Sequence, residues 1–270
     1  MNDAKILTRS VSQINAQNEE FFGRDVIVVF ARAPVPGQVK TRLAKTMGME
    51  KAAQLYAAML RDCLDLAKRA ARKEGNCAVV LCYWPPNAFD EGEFSLQPFW
   101  SGARLAQSEG DLGEKIWQCL RYFNYAGANR IIVIGSDSPD LLSGHINGAF
   151  HSLTEKKMVF TNGQEYIVPR HLVLGPTRDG GFYLLGIQGE IPHALFADVE
   201  WSTSDTLRQI RENAAHLQIS GSHREFQVWE DVDTPGDLRR LIARLGNDLR
   251  PRTTLKAVHV ARWLFSENLL

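Results

Sequence analysis

The chain has 270 residues, with 31 basic and 31 acidic side chains, 44% hydrophobic and 23% charged residues, and a pI near 7.1. This length can bury a sizeable core, in one large α/β domain or two small ones, and we expect one. The balanced charge provides no basic surface of the kind that nucleic-acid binders need, so no nucleic-acid partner is expected, although a local positive pocket for one diphosphate remains allowed.

Three other classes of feature are absent from the sequence. The four cysteines are not spaced as zinc ligands, and we expect free thiols in the core. The longest apolar runs, such as 26–31 and 131–134, are far shorter than the roughly 20 residues of a membrane helix, which argues against a transmembrane segment. The first twenty residues are polar and of mixed charge, unlike a secretion signal, so a cytoplasmic location is expected.

The first half of the chain alternates between strand and helix patterns. Residues 1–24 are interpreted as an N-terminal extension, and a domain over 25–248 begins with an apolar strand. The predicted elements in chain order are a strand at 26–30, a helix at 50–72, a strand at 77–83, a helix at 114–125 and a strand at 130–135. This order predicts a mostly parallel sheet with helices on both faces, whose ligands bind at the C-terminal ends of the strands.

The second half has a less regular pattern. It predicts strands at 172–174 and 182–187 around a glycine-rich turn, a helix at 204–216, a strand at 226–230 and a helix from Thr234-Pro235 to residue 245. Residues 249–270 are interpreted as a C-terminal helical extension. Its apolar positions Leu255, Val258, Ala261 and Phe265 share one helical face, which is typical of docking on the domain or on a second subunit and is compatible with a homo-oligomer.

The loop after the first strand, residues 31–43, is the first candidate for ligand binding. Its prolines, including Pro36, stiffen the turn, Gly37 lets the backbone reverse, and Lys40 and Arg42 offer cationic donors to a diphosphate. The loop lacks the glycines of a Walker motif. A solvated basic loop is the alternative interpretation.

Acidic residues follow two other predicted strands. Asp137 ends the strand at 130–135, where a carboxylate suits Mg²⁺ or Mn²⁺, although a turn-capping role is the alternative. Asp140 is better explained by the dipole of the next helical turn. Asp231 and Asp233 follow the predicted strand at 226–230 on one face, and Asp233 is the better candidate for the second metal ligand, against a role at the start of the next helix.

The segment 175–183 places a charged turn between two predicted strands. Asp179 is a candidate to accept hydrogen bonds from a sugar or to act as an acid or base. Gly180 and Gly181 permit close approach of the backbone to a substrate. A plain hairpin turn would use the same Asp-Gly sequence, so this segment alone does not decide the function.

Taken together, these segments resemble a bacterial glycosyltransferase-like family, of the domain-of-unknown-function type, in the GT-A nucleotide-diphospho-sugar transferase superfamily. The resemblance spans roughly residues 25–245. It rests on the motifs Pro-x-Pro-Gly-x-Val-Lys-Thr-Arg-Leu (34–43), Gly-Asp-Leu-Gly (110–113), Gly-x-Asp-x-Pro-x-Leu (135–141), Gly-Pro-x-x-Asp-Gly-Gly-Phe-Tyr-Leu (175–184), Trp-Ser-Thr (201–203) and Asp-x-Asp-Thr-Pro-x-Asp-Leu (231–238).

The resemblance implies a three-layer α/β/α sandwich around a mostly parallel mixed sheet, with a nucleotide over the first loop and a metal bridging its diphosphate. It assigns the metal to Asp137 and Asp233 and the phosphates to Lys40 and Arg42. It also implies that Gly110 and Asp111 contact the base or ribose, and that Trp201 lines the acceptor pocket, although a core role suits such an aromatic residue equally well. The stretch 156–170 is longer than the family's usual connection, which points to a remodelled acceptor side.

Three functions agree with these features. The first is a metal-dependent glycosyltransferase that uses a nucleoside diphosphate sugar and a small-molecule or glycan acceptor, with Lys40 and Asp179 as catalytic groups. The second is a nucleotidyltransferase that joins a nucleoside triphosphate to a phosphorylated or carboxylated small molecule and releases pyrophosphate. The third is a non-catalytic module that binds nucleotide sugars. The two prolines and single glycine of the first loop favour glycosyl transfer, because loops that surround a triphosphate are usually much richer in glycine.

Overall fold

A computed structural model describes residues 20–90, 92, 95–154, 156–161, 164–169, 171–219, 226–248 and 256–269. Most of the predicted N-terminal extension therefore lies outside the described residues. The strands are β1 (Asp25–Arg32), β2 (Cys77–Trp84), β3 (Arg104–Ala106), β4 (Arg130–Ile134), β5 (Lys156–Thr161), β6 (Gln164–Pro169), β7 (Leu172–Pro176) and β8 (Phe182–Gln188). The helices are α1 (Thr41–Met47), α2 (Met49–Glu74), α3 (Leu112–Tyr125), α4 (Ser143–Thr154), α5 (Thr206–His216), α6 (Pro235–Asp248) and α7 (Val258–Ser266), with a 3₁₀ helix at His193–Leu195.

The main sheet has six strands in the order β3-β2-β1-β4-β8-β7. Strands β3, β2, β1 and β4 are parallel, whereas β8 runs antiparallel to both β4 and β7. The central strand β1 is a continuous apolar run because helices cover both of its faces. The predicted mostly parallel mixed sheet is thus confirmed.

Alternate residues of β1 contribute to two different cores. Ile27 and Val29 pack on one face with α2 and α4, while Val26 and Val28 pack on the other with α3 and α5. This period of two is what a strand covered on both faces requires. The resulting arrangement of helix, sheet and helix layers is the predicted three-layer sandwich.

A third apolar cluster joins the C-terminal helix to the domain. Leu55 and Met59 of α2 pack against Leu241 of α6 and against Val260 and Leu264 of α7. The Asp62 carboxylate of α2 accepts hydrogen bonds from the backbone N–H groups of His259 and Val260, at 3.0 and 2.9 Å. The predicted docking of this helix on the domain is therefore confirmed.

The structure corrects two details of the predicted elements. Residues 226–230 form no strand, and only Trp229 makes an isolated bridge, to Thr177. In α7 the buried positions are Val260, Ala261 and Leu264, whereas Phe265 is 51% exposed. The pattern analysis did not identify α1, β3, α4, β5 and β6.

The expectation of free thiols is confirmed. Cys63, Cys77, Cys82 and Cys119 are free thiols. In the part of the chain that the structure describes, no helix combines the length and apolar character needed to cross a membrane.

Candidate functional site

A crevice opens where β1 and β4 end and β8 begins, at the sheet edge where α/β folds bind ligands. Its volume is about 420 Å³. The residues that line it and carry the arguments below are Arg32, Lys40, Tyr56, Leu112, Ile116, Ser136, Asp137, Ser138, Asp179, Gly181, Phe182, Tyr183, Trp201, Asp231 and Asp233. The sheet therefore brings together segments that are far apart in the sequence.

Lys40 lies at the centre of the charged end of this crevice. Its backbone has the left-handed conformation, with φ of 47°, immediately before α1. Its ammonium nitrogen lies 2.5 Å from Oδ1 of Asp137 and 2.7 Å from Oδ1 of Asp233, and its side chain is only 4% exposed. One buried cation thus joins the three loops that carry the predicted functional residues.

The protonation of Lys40 follows from these contacts. Burial opposes its charged form, but the attraction and hydrogen bonds of Asp137 and Asp233 prevail and raise the pKa of Lys40 above its ordinary value. Lys40 therefore stays charged at neutral pH. Its positive charge is directed at protein carboxylates and not at open solvent.

Asp231 adds a third carboxyl group to this end of the crevice. It accepts a hydrogen bond of 2.6 Å from the hydroxyl of Ser138. Burial, followed by repulsion from Asp137, raises the pKa of Asp231 to about 7. The backbone N–H of Val232 donates to the carbonyl oxygen of Asp137 at 3.0 Å, which fixes the two acidic loops against each other.

The carboxylates of Asp137 and Asp233 meet the distance requirement for sharing one metal ion. Both Oδ1 atoms contact the same Lys40 nitrogen, at 2.5 and 2.7 Å, so they are at most about 5.2 Å apart. Two carboxylates more than roughly 8 Å apart could not bind the same ion, and this pair is closer than that. Both side chains are partly open to the crevice, at 43% and 34% exposure. No cluster of three or more His, Cys, Asp or Glu side chains suited to a metal occurs among the described residues. The set fits Mg²⁺ or Mn²⁺, which commonly use one or two carboxylates plus water and phosphate oxygens.

Tyr56 lies beside the charged end of the crevice and was not identified in the sequence analysis. Its hydroxyl accepts a hydrogen bond from the backbone N–H of Arg32 at 2.9 Å and shares another of 2.9 Å with the hydroxyl of Ser136. Burial, with a smaller contribution from the negative charge of Asp137, raises the pKa of Tyr56 to about 12. Tyr56 thus ties the end of β1 to the end of β4. In the sequence it is only one more apolar position of a helix, so no local signal distinguishes it.

The turn that carries Asp179 is held by its own hydrogen bonds. Oδ1 of Asp179 accepts from the hydroxyl of Thr177 at 2.6 Å and from the backbone N–H of Gly181 at 3.1 Å. Gly180 has φ of 91°, and a Cβ there would lie 2.0 Å from the carbonyl oxygen of Ser204. Gly180 is therefore required by the turn itself, whereas Asp179 and Gly181 line the crevice.

The opposite end of the crevice is apolar and aromatic. Leu112, Ile116, Phe182 and Trp201 line it. The Trp201 ring lies so close to α3 that a Cβ on Gly113 would be 2.5 Å from it. Among the described residues, the Trp201 indole N–H and the Tyr183 hydroxyl are buried without a hydrogen-bond partner. This end therefore offers ring surfaces to a ligand.

Several predicted substrate-binding residues lie outside the crevice wall. Pro36 and Gly37 form a turn packed towards Met49, since a Cβ on Gly37 would be 3.2 Å from its sulfur. Arg42 is 64% exposed at the rim, 3.6 Å from Asp233.

The segment before α3 has a capping role in the structure. Asp111 caps α3 by accepting from the backbone N–H of Glu114 at 2.8 Å, and Gly110 precedes it with φ of 108°. Asp140, interpreted above as structural, pairs with Arg244 at 2.7 Å.

The stretch at 156–170 lies between α4 and β7 in the chain. It forms a two-stranded antiparallel sheet of its own, β5 and β6, between α4 and β7. Because β7 runs parallel to β4, the chain enters β7 at the sheet edge opposite the crevice. The expected remodelling of the acceptor side stays a prediction.

Comparisons with known proteins place these observations in a family. A family model with the description "Uncharacterized protein conserved in bacteria (DUF2064)" matches residues 64–203. The crystal structure of a "putative nucleotide-diphospho-sugar transferase" from Desulfovibrio desulfuricans G20 matches with a TM-score of 0.71 and 24% identity, over 92% of this chain and 99% of that one. A cytidylyltransferase from Leptospira borgpetersenii serovar Hardjo-bovis matches with a TM-score of 0.47 and 12% identity, over 91% of this chain and 95% of that one. No curated protein matches the sequence. The resemblance and the fold predicted from the sequence are thereby confirmed.

Proposed function

The chain belongs to the bacterial DUF2064 family, and we propose that it is a metal-dependent glycosyltransferase that uses a nucleoside diphosphate sugar. The single observation that carries the proposal is the grouping of Asp137, Asp233 and Lys40 at the ligand-binding edge of the sheet. Removal of a nucleoside diphosphate from a sugar requires its developing negative charge to be neutralised. Carboxylates that hold a divalent ion, beside a permanently charged ammonium, provide that neutralisation.

In this function Asp137 and Asp233 hold Mg²⁺ or Mn²⁺ on their exposed side. When bound, the ion supplies positive charge to the departing diphosphate. Lys40 keeps the two acidic loops together and offsets their mutual repulsion. Asp179 lies in the crevice wall with one carboxylate oxygen engaged in its turn, and its other oxygen is the group that accepts a proton from the acceptor hydroxyl.

The backbone of the first loop favours a diphosphate over a triphosphate. Pro34 and Pro36 have no N–H group, and the N–H groups of Ala33, Val35 and Gln38 already donate to carbonyl oxygens of Trp84, Ala33 and Val35. Residues 33–36 therefore offer no free amide to a phosphate chain, whereas sites for triphosphates usually use several. This supports glycosyl transfer over nucleotidyl transfer.

The proposal is tested by identifying the phosphate product. The chain is incubated with Mn²⁺ and a panel of nucleoside diphosphate sugars, and in parallel with nucleoside triphosphates plus sugar phosphates or small phosphorylated acids. We expect release of a nucleoside diphosphate in the first series, with water as the acceptor of the sugar, and loss of this release in Asp137→Asn. Asp198→Asn is a matched control, because Asp198 is exposed and its positive φ suits asparagine. Pyrophosphate release in the second series that depends on Asp137 would replace this function with nucleotidyl transfer.

A further inference from the structure

Two cations beside the crevice have no acidic partner. Arg32 is exposed at the end of β1 and lines the crevice. Lys115 lies in the first turn of α3, between the crevice residues Leu112 and Ile116, with its ammonium 4.2 Å from the centre of the Trp84 ring. Within the described residues neither side chain forms an ion pair. No carboxylate of the described residues therefore forms an ion pair with either charge.

The sheet places both cations on the same face. Arg32 and Trp84 are paired in register on the neighbouring parallel strands β1 and β2. Side chains at paired positions point to the same side of a sheet, and alternate residues of β1 show that this side is the one covered by α3. Lys115 approaches Trp84 from α3. Arg32 and Lys115 are thus neighbours on one face of the sheet, beside the crevice.

The environment of Lys115 is unfavourable without an anion. Burial lowers the pKa of Lys115, and repulsion by the guanidinium of Arg32 lowers it further, against a weaker attraction to Glu109. A phosphate between the two cations would convert this repulsion into two charge-assisted hydrogen bonds. The N-terminus of α3 is not the basis of the site, because Asp111 already caps the N–H of Glu114.

The other cations of the crevice are already engaged. Lys40 contacts both Asp137 and Asp233, and the guanidinium of Arg42 lies 3.6 Å from Asp233. The charged end of the crevice is consequently rich in carboxylates, which repel phosphates in the absence of a metal ion. Among the described residues at the crevice, Arg32 and Lys115 carry positive charges that form no ion pair.

We propose that Arg32 and Lys115 form an anion site that binds the phosphates of the donor nucleotide. The identity of the anion rests on the function proposed above, whereas the existence of the site does not. An incoming diphosphate is then held between these two cations and the metal-binding carboxylates. Trp84 fixes the position of Lys115 through the cation–π contact.

The site is tested by calorimetric titration of the full chain with inorganic pyrophosphate, without divalent ions, at low ionic strength. We expect binding to the unsubstituted chain, and a loss of roughly tenfold or more in affinity in both Arg32→Gln and Lys115→Met, because each removes a charged donor. Lys115→Arg should retain most of the affinity. Lys68→Met is the matched control, since Lys68 also lies over an indole, 5.0 Å from the centre of Trp100, but outside the crevice.

Three results would overturn the inference: no binding to the unsubstituted chain, unchanged affinity in either charge-removing variant, or an equal loss in Lys68→Met. Thermal unfolding of each variant establishes that it is folded. In a second series of titrations, nucleoside diphosphates replace pyrophosphate. Together with the assay for cleavage of nucleotide sugars, this series separates the proposed anion site from the proposed glycosyl transfer. If pyrophosphate binding depends on Arg32 and Lys115 but no nucleotide sugar is cleaved, the anion site stands and the proposed glycosyl transfer fails.

Discussion

Lys40 and Asp233 are 193 residues apart in the chain, yet the ammonium of one lies 2.7 Å from a carboxylate oxygen of the other. The same nitrogen contacts Asp137 at the end of β4. A cation in this position stabilises the acidic loops before any ligand arrives. It also places a fixed positive charge where the carboxylates would otherwise repel one another.

Replacing Lys40 by methionine should reveal competition between the ammonium and a metal ion. We expect the free energy of unfolding to fall by about 2 kcal/mol, less than the 3–5 kcal/mol of a fully buried pair, because the carboxylates are partly solvated. Since the acids lose their internal cation, Mn²⁺ should then raise the melting temperature more in Lys40→Met than in the unsubstituted chain. Thermal unfolding with and without Mn²⁺ measures both effects. An equal or smaller Mn²⁺ shift in the variant would contradict the competition.

The two glycines after Asp179 should respond differently to alanine. At Gly180 a Cβ would lie 2.0 Å from the carbonyl oxygen of Ser204, and the φ of 91° disfavours any L side chain. At Gly181, with an ordinary φ, the nearest atom would be the Thr177 hydroxyl oxygen at 3.0 Å. We expect Gly180→Ala to lower stability by roughly 1–3 kcal/mol and Gly181→Ala by less. Urea unfolding of the two variants compares them directly, and a reversed order would show that the turn is not fixed as described.

A buried ion pair at the edge opposite the crevice should affect stability without affecting ligand binding. Arg130 donates to both carboxylate oxygens of Asp25 and to the carbonyl oxygen of Phe150. Asp25→Ala leaves the guanidinium with the more distant carboxylate of Glu74, at 3.7 Å, and we expect a loss of about 3 kcal/mol in the free energy of unfolding. Pyrophosphate affinity should not change at a temperature where the variant is folded. Glu212→Ala, which removes an exposed partner of Arg208, is the control and should leave the urea midpoint in place.

The contact between α2 and α7 should depend on pH. Burial raises the pKa of Asp62 to about 6, although the hydrogen bonds from the N–H groups of His259 and Val260 oppose the shift. Between about 4 and 6 the folded chain then binds this proton more tightly than the unfolded chain does, so the contribution of Asp62 to stability falls as the pH rises through that interval. The unfolding free energy of the unsubstituted chain minus that of Asp62→Asn should thus be more positive at pH 4.5 than at pH 7. Equal differences at the two values would argue against the raised pKa.

The exposed guanidinium of Arg42 should contribute less to anion binding than that of Arg32. Arg42 lies 3.6 Å from Asp233, and part of its charge is offset there. Arg42→Ala should therefore weaken the affinity for a nucleoside diphosphate, measured calorimetrically with Mn²⁺, by a smaller factor than Arg32→Gln. A larger effect at Arg42 would favour binding of the diphosphate by Arg42, as predicted from the sequence.

Patterns that repeat over many residues predicted most of the fold. The runs that form β1, α2, β2, α3 and β4 are buried along a strand or on one face of a helix, so their periodicity is strong. The segment at 226–230 has the composition of a strand but lies beside the sheet, where Trp229 packs against His145. Composition reports the burial of such a segment and not its hydrogen-bonding partners.

Part of the candidate site was also predicted from single acidic residues that follow predicted strands. Asp137 and Asp233 come together because the ends of parallel strands and the start of a nearby helix share one edge. The engagement of Lys40 by those acids, and the support from Tyr56, depend on contacts between distant segments. A single sequence carries no local signal for such contacts, so these roles required the structure.

The hairpin of β5 and β6 lies outside the six-stranded sheet, so its length can change without shifting the strands of that sheet. It joins the sheet edge opposite the crevice, and it forms a separate two-stranded unit. Additional residues in a surface connection cost little entropy. A fluorophore or affinity label attached between Thr161 and Gln164 would accordingly report on the whole molecule while leaving every strand around the crevice in register.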